Sequence, residues 1–244
     1  NMSFLLLSAS LAVPFGRLGD LFGRKRFFTA GIIVFTLSSA FIASASSGTG
    51  VIIGRAVQGI GSAMLVATST AILISVFPPE KRGRVLGINV SSVYLGLSSG
   101  PFIGGIITEF LGWRALFMIH LPFGIVLVGI VLVMLKGEWV ENHSERFDTL
   151  GAVILSLSLL AILYSFSKLP SLTAISLLVL GTMGLVVFSI VELRTNSPLI
   201  DVRIFFNNRV FALSNMAALI NYASTFAVTF LISIYLQKIR GMTP

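Results

Sequence analysis

The stretch GRLGDLFGRKR, from Gly16 to Arg26, runs directly into FFTAGIIVFTLSSAFIASA, from Phe27 to Ala45. The first part is glycine-rich and basic. The second has no charged side chain at all. At 1.5 Å per residue a helix over 27–45 is long enough to cross a hydrocarbon core of about 30 Å. A basic turn feeding such a run reads as a membrane protein folding back at a bilayer surface.

Working outward, the same pattern recurs. Apolar segments are predicted over 1–15, 27–45, 51–77, 85–111, 115–135, 150–167, 172–191 and 210–236. Hydrophobic residues make up 55% of the 244-residue chain and charged residues 11%, where a soluble domain has about 25% charged. A soluble fold of this size cannot hide so much apolar surface. The segments are apolar on every face, which excludes barrel strands with their alternation over about 10 residues. A helix satisfies its own backbone groups, which lipid cannot do. The fold class expected is therefore an all-α membrane protein with about eight transmembrane helices.

The net charge of +8 is explained by where the bases fall. One set of alternate connections holds Arg17, Arg24, Lys25 and Arg26, then Lys81, Arg82 and Arg84, then Lys136 and Arg146, then Arg194, Arg203 and Arg209. The other holds only Arg114, Lys168, Lys238 and Arg240. The positive-inside bias makes the richer set cytoplasmic. No basic tract with interleaved aromatics lies on a polar segment, so nucleic acid is excluded as a partner. Cys is absent, which removes disulfides and thiolate chemistry. The start has no charged region or cleavage site, so it does not read as a signal peptide. Both ends read as cut from something longer. The longest polar stretch, 136–149, carries Glu138, Glu141, Glu145 and Asp148 and reads as a joint between bundles.

Three constellations stand out. In the first, Gly16, Gly19 and Gly23 permit a tight turn and close helix approach. Asp20 sits among Arg17, Arg24, Lys25 and Arg26 and can pair with Arg17 or Arg24, as a latch at a helix end. An ordinary positive-inside loop explains the same residues. No strand precedes it and the P-loop ending is missing, so nucleotide binding is rejected. The second is RAVQGIGSA, 55–63. Arg55 is a charge inside a span, and Gln58 and Gly59 follow on the same helix face. Snorkelling of Arg55 to the outer surface is the competing reading. In the third, Ser92, Gly96, Gly100, Gly104 and Thr108 recur every four residues, a small-residue face where another helix can pack. Pro101 removes a backbone hydrogen bond there, so a kink is expected.

The stretch 16–26 closely resembles the signature loop between the second and third helices of the major facilitator superfamily. The resemblance implies control of the inward-to-outward switch by Asp20, Arg17 and Arg24. Arg55, Gln58 and Gly59 resemble the family's fourth-helix motif, whose Arg is implicated in substrate or proton coupling. Gly96, Gly100, Pro101, Gly104 and Gly105 resemble the motif that marks exporters. GWRALFMIHLPFG, 112–124, resembles the fifth-to-sixth helix junction of the fourteen-helix drug:proton antiporters, with His120 where those usually have Asn. FDTLG, 147–151, resembles the start of that branch's first extra central helix. PLIDVRIFFNNRVF, 198–211, and YLQKIRG, 235–241, resemble the two ends of the next conserved helix.

The resemblance implies a division into an N-terminal bundle over 1–135 (helices two to six of the family), a cytoplasmic loop over 136–149, and two extra central helices over 150–192. A loop and the first helix of the C-terminal bundle then occupy 193–244. It implies a multi-pass protein of the cell membrane that exports small amphipathic or drug-like compounds against protons, by alternating access. The partners implied are a small-molecule substrate, protons and the lipid bilayer, with a monomeric full-length protein. No cofactor, metal or enzymatic motif is expected. A non-transporting sensor or scaffold on the same fold is the alternative. Glu109 and His120 are expected at interfaces, with Glu109 alternatively a protonatable site. Glu192 is expected in solvent. Phe41, Phe102, Phe117 and Phe230 are expected to pack or face lipid, or else to line an apolar cavity.

Overall fold

A computed structural model describes residues 2–140 and 146–238. Asn1, Glu141, Glu145, Arg240 and Gly241 lie outside the described residues. Among those described, every regular element is a helix. The helices are α1 Met2–Phe22, α2 Arg24–Ser44, α3 Gly48–Val76, α4 Pro79–Leu111, α5 Trp113–Met118, α6 His120–Met134, α7 Thr149–Phe166, α8 Leu172–Glu192, α9 Arg203–Asn207 and α10 Arg209–Lys238. Taking α5 and α6 together, eight are long and apolar enough to cross a membrane.

The starts are set by local chemistry. Ser47, Asp148 and Ser171 cap α3, α7 and α8 with side-chain oxygens that accept from the amide three residues on. Pro79 occupies the first turn of α4, where its missing N–H is harmless. Within the spans, Thr29, Thr36, Ser39, Thr68 and Ser75 donate to the carbonyl four residues back. Each hydroxyl thereby finds a partner that hydrocarbon does not offer.

The packed centre is α1, α2 and α3, with α5 and α6 against α2. Gly59 and Gly61 of α3 allow this closeness. A Cβ at Gly59 would stand 2.5 Å from the Phe4 carbonyl oxygen, and one at Gly61 2.7 Å from the Phe35 nitrogen. The hairpin α7–α8 packs on itself and reaches the bundle through α7 on α1, where Ser156 donates to the Ser10 carbonyl at 3.2 Å. Its seal is Ala152, Leu155, Phe188 and Leu199, joined by Val13 of α1.

The structure corrects one expectation and adds detail to three others. The stretch 16–26 is not a loop: Gly16 to Phe22 continue α1, and Gly23 alone separates α1 from α2. The fifth span is divided at Ile119. A short helix, α9, precedes α10. The small-residue face of α4 is uncovered: a Cβ at Gly96, Gly100 or Gly105 would meet nothing within 4 Å, and α4 buries no residue. Among the described residues, helix α4 touches only α3 and α5, and α10 only α9.

Candidate functional site

The residues of 16–26 come together around Gly23. Its φ of +113° is one that L side chains rarely adopt, and a Cβ there would lie 2.5 Å from Glu138 Oε1. The turn is thus specified twice, by dihedral and by space. Asp20, in the last turn of α1, accepts from Arg24 Nε at 2.6 Å across the break. The same guanidinium donates to Ser75 Oγ at the far end of α3, at 2.8 Å.

Three consecutive bases at a helix N-terminus oppose the helix dipole. Helix α2 has no capping side chain of its own. The segment after α6 supplies the missing partners. Arg24 N donates to the Trp139 carbonyl at 3.1 Å, Lys25 N to Glu138 Oε1 at 2.9 Å, and Arg26 N to the same oxygen at 3.4 Å. Phe27 N donates to the Gly23 carbonyl at 3.1 Å. Every otherwise orphaned amide of that first turn is satisfied. Lys25 Nζ donates to the Leu135 carbonyl, and Arg26 Nε lies 3.6 Å from Glu138 Oε2. Asp20 and Glu138 therefore neutralise a basic helix start and tie α1, α2, α3 and the end of α6 into one clamp. Glu138 and Ser75 are members of this cluster that the sequence pattern did not reveal. They are distant in the chain, and the signals available were an acid in the polar joint and a hydroxyl at a span end.

A second cluster lies toward the other end of α3, about 30 Å away at 1.5 Å per residue. Arg55 donates to Gln58 Oε1 at 2.8 Å, and Gln58 Nε2 to Ser39 Oγ at 2.7 Å. The guanidinium sits over Phe4 and Phe117, 4.9 and 5.5 Å from their centroids. Arg55 is thus directed into the bundle between two rings rather than snorkelling. Gln58 is fully buried. Phe117, considered as a cavity wall, serves as one face of this sandwich. His120 stands edge-on to Phe35, ring centroids 5.4 Å apart.

Phe41, Phe102 and Phe230 are exposed, as is Glu109. Glu192 departs from expectation: it is buried, 3% exposed, at the root of the α7–α8 hairpin. The α4 residues Gly96, Gly100, Pro101, Gly104 and Gly105 join neither cluster. Among the described residues no three His, Asp or Glu side chains converge on a metal-sized site.

Comparison with known proteins follows this geometry. The family model described as Major Facilitator Superfamily matches residues 1–244. The chain is 30% identical over 245 residues to the riboflavin transporter RibZ of Clostridioides difficile, covering 99% of the chain and 53% of that protein. It is 33% identical to multidrug resistance protein 3 of Bacillus subtilis, covering 93% and 45%. It is 28% identical to the tetracenomycin C resistance and export protein of Streptomyces glaucescens, covering 99% and 46%. The chain spans about half the length of these relatives.

Proposed function

The chain belongs to the major facilitator superfamily, a family of membrane transporters and not of enzymes, and from that premise we propose that the whole protein exports small amphipathic compounds in exchange for protons. The observation that carries the proposal is the clamp around Gly23. It joins the ends of three spans and the end of α6 through charge-assisted bonds. Alternating access between two bundles requires contacts of this kind to form in one state and part in the other.

In this reading α1 to α6 form most of the first bundle, α7 and α8 are the extra central pair, and α10 begins the second bundle. The Gly23 end faces the cytoplasm of a cell membrane, following the loop charges. The open glycine face of α4 then meets the second bundle. Arg55, held by Gln58 and two rings, is the group that senses substrate or proton. The gradient supplies about 2.3 kcal/mol per charge for each 100 mV.

The resemblance to two resistance proteins supports export of drug-like compounds. The riboflavin transporter among the relatives favours a second reading, in which the substrate is a flavin-like heteroaromatic. Full-length protein in proteoliposomes, given a ligand panel that includes riboflavin, separates these. Movement of cationic amphiphiles only under a pH gradient supports export. Gradient-independent movement of riboflavin alone supports the second reading, and no movement of any ligand sinks both.

A further inference from the structure

We propose that Glu192 and Asp148 form a proton-binding site at the root of the α7–α8 hairpin, whose occupancy sets how the hairpin is held to α1. Two independent observations carry this. The first is convergence. A Cβ on Gly151 would lie 2.5 Å from Asp148 Oδ2 and 2.6 Å from Glu192 Oε1, so both carboxylates turn toward the same point and only a glycine leaves room for them. The second is that Glu192 is buried and the facing oxygens are unsatisfied. Glu192 is 3% exposed, and among the described residues neither of its oxygens, nor Asp148 Oδ2, has a hydrogen-bond partner. Asp148 Oδ1, by contrast, is occupied, accepting from Gly151 N at 2.8 Å.

Two carboxylates turned toward one point repel as like charges, and an acceptor-only pair lacks any donor between them. A proton on Glu192 cures both defects, because the resulting O–H can donate to Asp148 Oδ2. Among the described residues, the charged groups that face Glu192 are Asp148 at the cap of α7 and Arg17 of α1. The segment after α8 offers the backbone amides of Leu199 and Ile200, which lie near without reaching hydrogen-bond geometry. The buried apolar cluster of the hairpin includes Leu199 and Phe188, close in the chain to Glu192. Arg17 belongs to the stretch that forms the clamp. A proton on Glu192 removes the charge that Arg17 attracts there; its release restores that attraction. Proton loading thereby loosens the hairpin from α1, and unloading tightens it.

The site needs no particular transport direction, and its readout is spectroscopic, so it stands apart from the export reading. The test is infrared difference spectroscopy of the full-length protein in lipid nanodiscs, titrated from about pH 4 to about pH 9. Glu192→Gln mimics the protonated shape and cannot titrate. Asp148→Asn keeps the cap on Gly151 and removes the neighbouring charge. The wild type should show a buried carboxylic-acid carbonyl band that bleaches as pH rises. The band should be lost in E192Q and kept, at an altered frequency, in D148N. If E192Q does not fold, the D148N frequency shift decides, and an unshifted band in D148N overturns the proposal. A wild type without such a band, a band that survives in E192Q, or a signal that follows sodium ions at fixed pH would overturn the proposal.

Discussion

Replacing Glu138 by Ala removes the acceptor that closes the first turn of α2. Glu138 Oε1 receives the Lys25 amide at 2.9 Å and, more loosely, the Arg26 amide at 3.4 Å. A hydrogen bond to a charged group contributes about 1.5–3 kcal/mol net, and the Arg26 ion pair adds little because that side chain is 79% exposed. The expected loss is about 2 kcal/mol, or about thirtyfold in the ratio of released to docked 135–139 segment. Glu138→Gln keeps an oxygen but no charge and should lose about 1 kcal/mol. Arg26→Ala should change the ratio by about threefold or less. The chain contains no Cys, so a single cysteine at half-buried Val140, with any other cysteine of the full-length protein replaced, reports release through its maleimide labelling rate. The order E138A, then E138Q, then R26A is expected. Labelling unchanged in E138A, or equal effects of E138A and R26A, would refute the role of Glu138 as the cap of α2.

Three further outcomes follow from the same geometry. Gly23→Ala forces a Cβ into a positive-φ turn and onto Glu138, so it should destabilise by about 1–3 kcal/mol and lower the thermal midpoint measured by a fluorescent size-exclusion assay. Gln58→Leu leaves Arg55 without its Oε1 acceptor and Ser39 without its donor; a loss of about 2–3 kcal/mol in denaturant unfolding is expected, and a change within error would contradict the network. Phe4→Ala and Phe117→Ala should each cost about 1–2 kcal/mol from the Arg55 sandwich and combine non-additively, which a double-mutant cycle reads directly.

The spans were legible because bilayer thickness demands them. A run such as 172–191 has few alternatives to crossing the membrane, and α8 occupies Leu172–Glu192. The stretch 16–26 was legible as a special place but misread in shape. Its glycines suggested a loop, whereas Gly16 and Gly19 stay helical and serve contact: a Cβ at Gly19 would sit 2.8 Å from Thr68. Glu138 was visible only as one acid among several, since its partners lie 113 and 112 residues away. Glu192 ends an apolar run, which by itself predicts a solvated side chain. Its burial comes from α7 and from Leu199, which local pattern does not encode. On α4 the small-residue face was read from spacing, but spacing does not say what covers it, and no described residue lies within 4 Å of a Cβ at Gly96, Gly100 or Gly105.

The central proposal is exchange of substrate for protons by the full-length protein. Simultaneous recording of internal pH and substrate content in proteoliposomes, with the membrane potential clamped, tests it most directly. The account predicts that substrate added on one side drives protons the opposite way, and that Asp20→Asn, which removes the charge facing Arg24, slows both fluxes together. Substrate movement with no accompanying proton flux would contradict it.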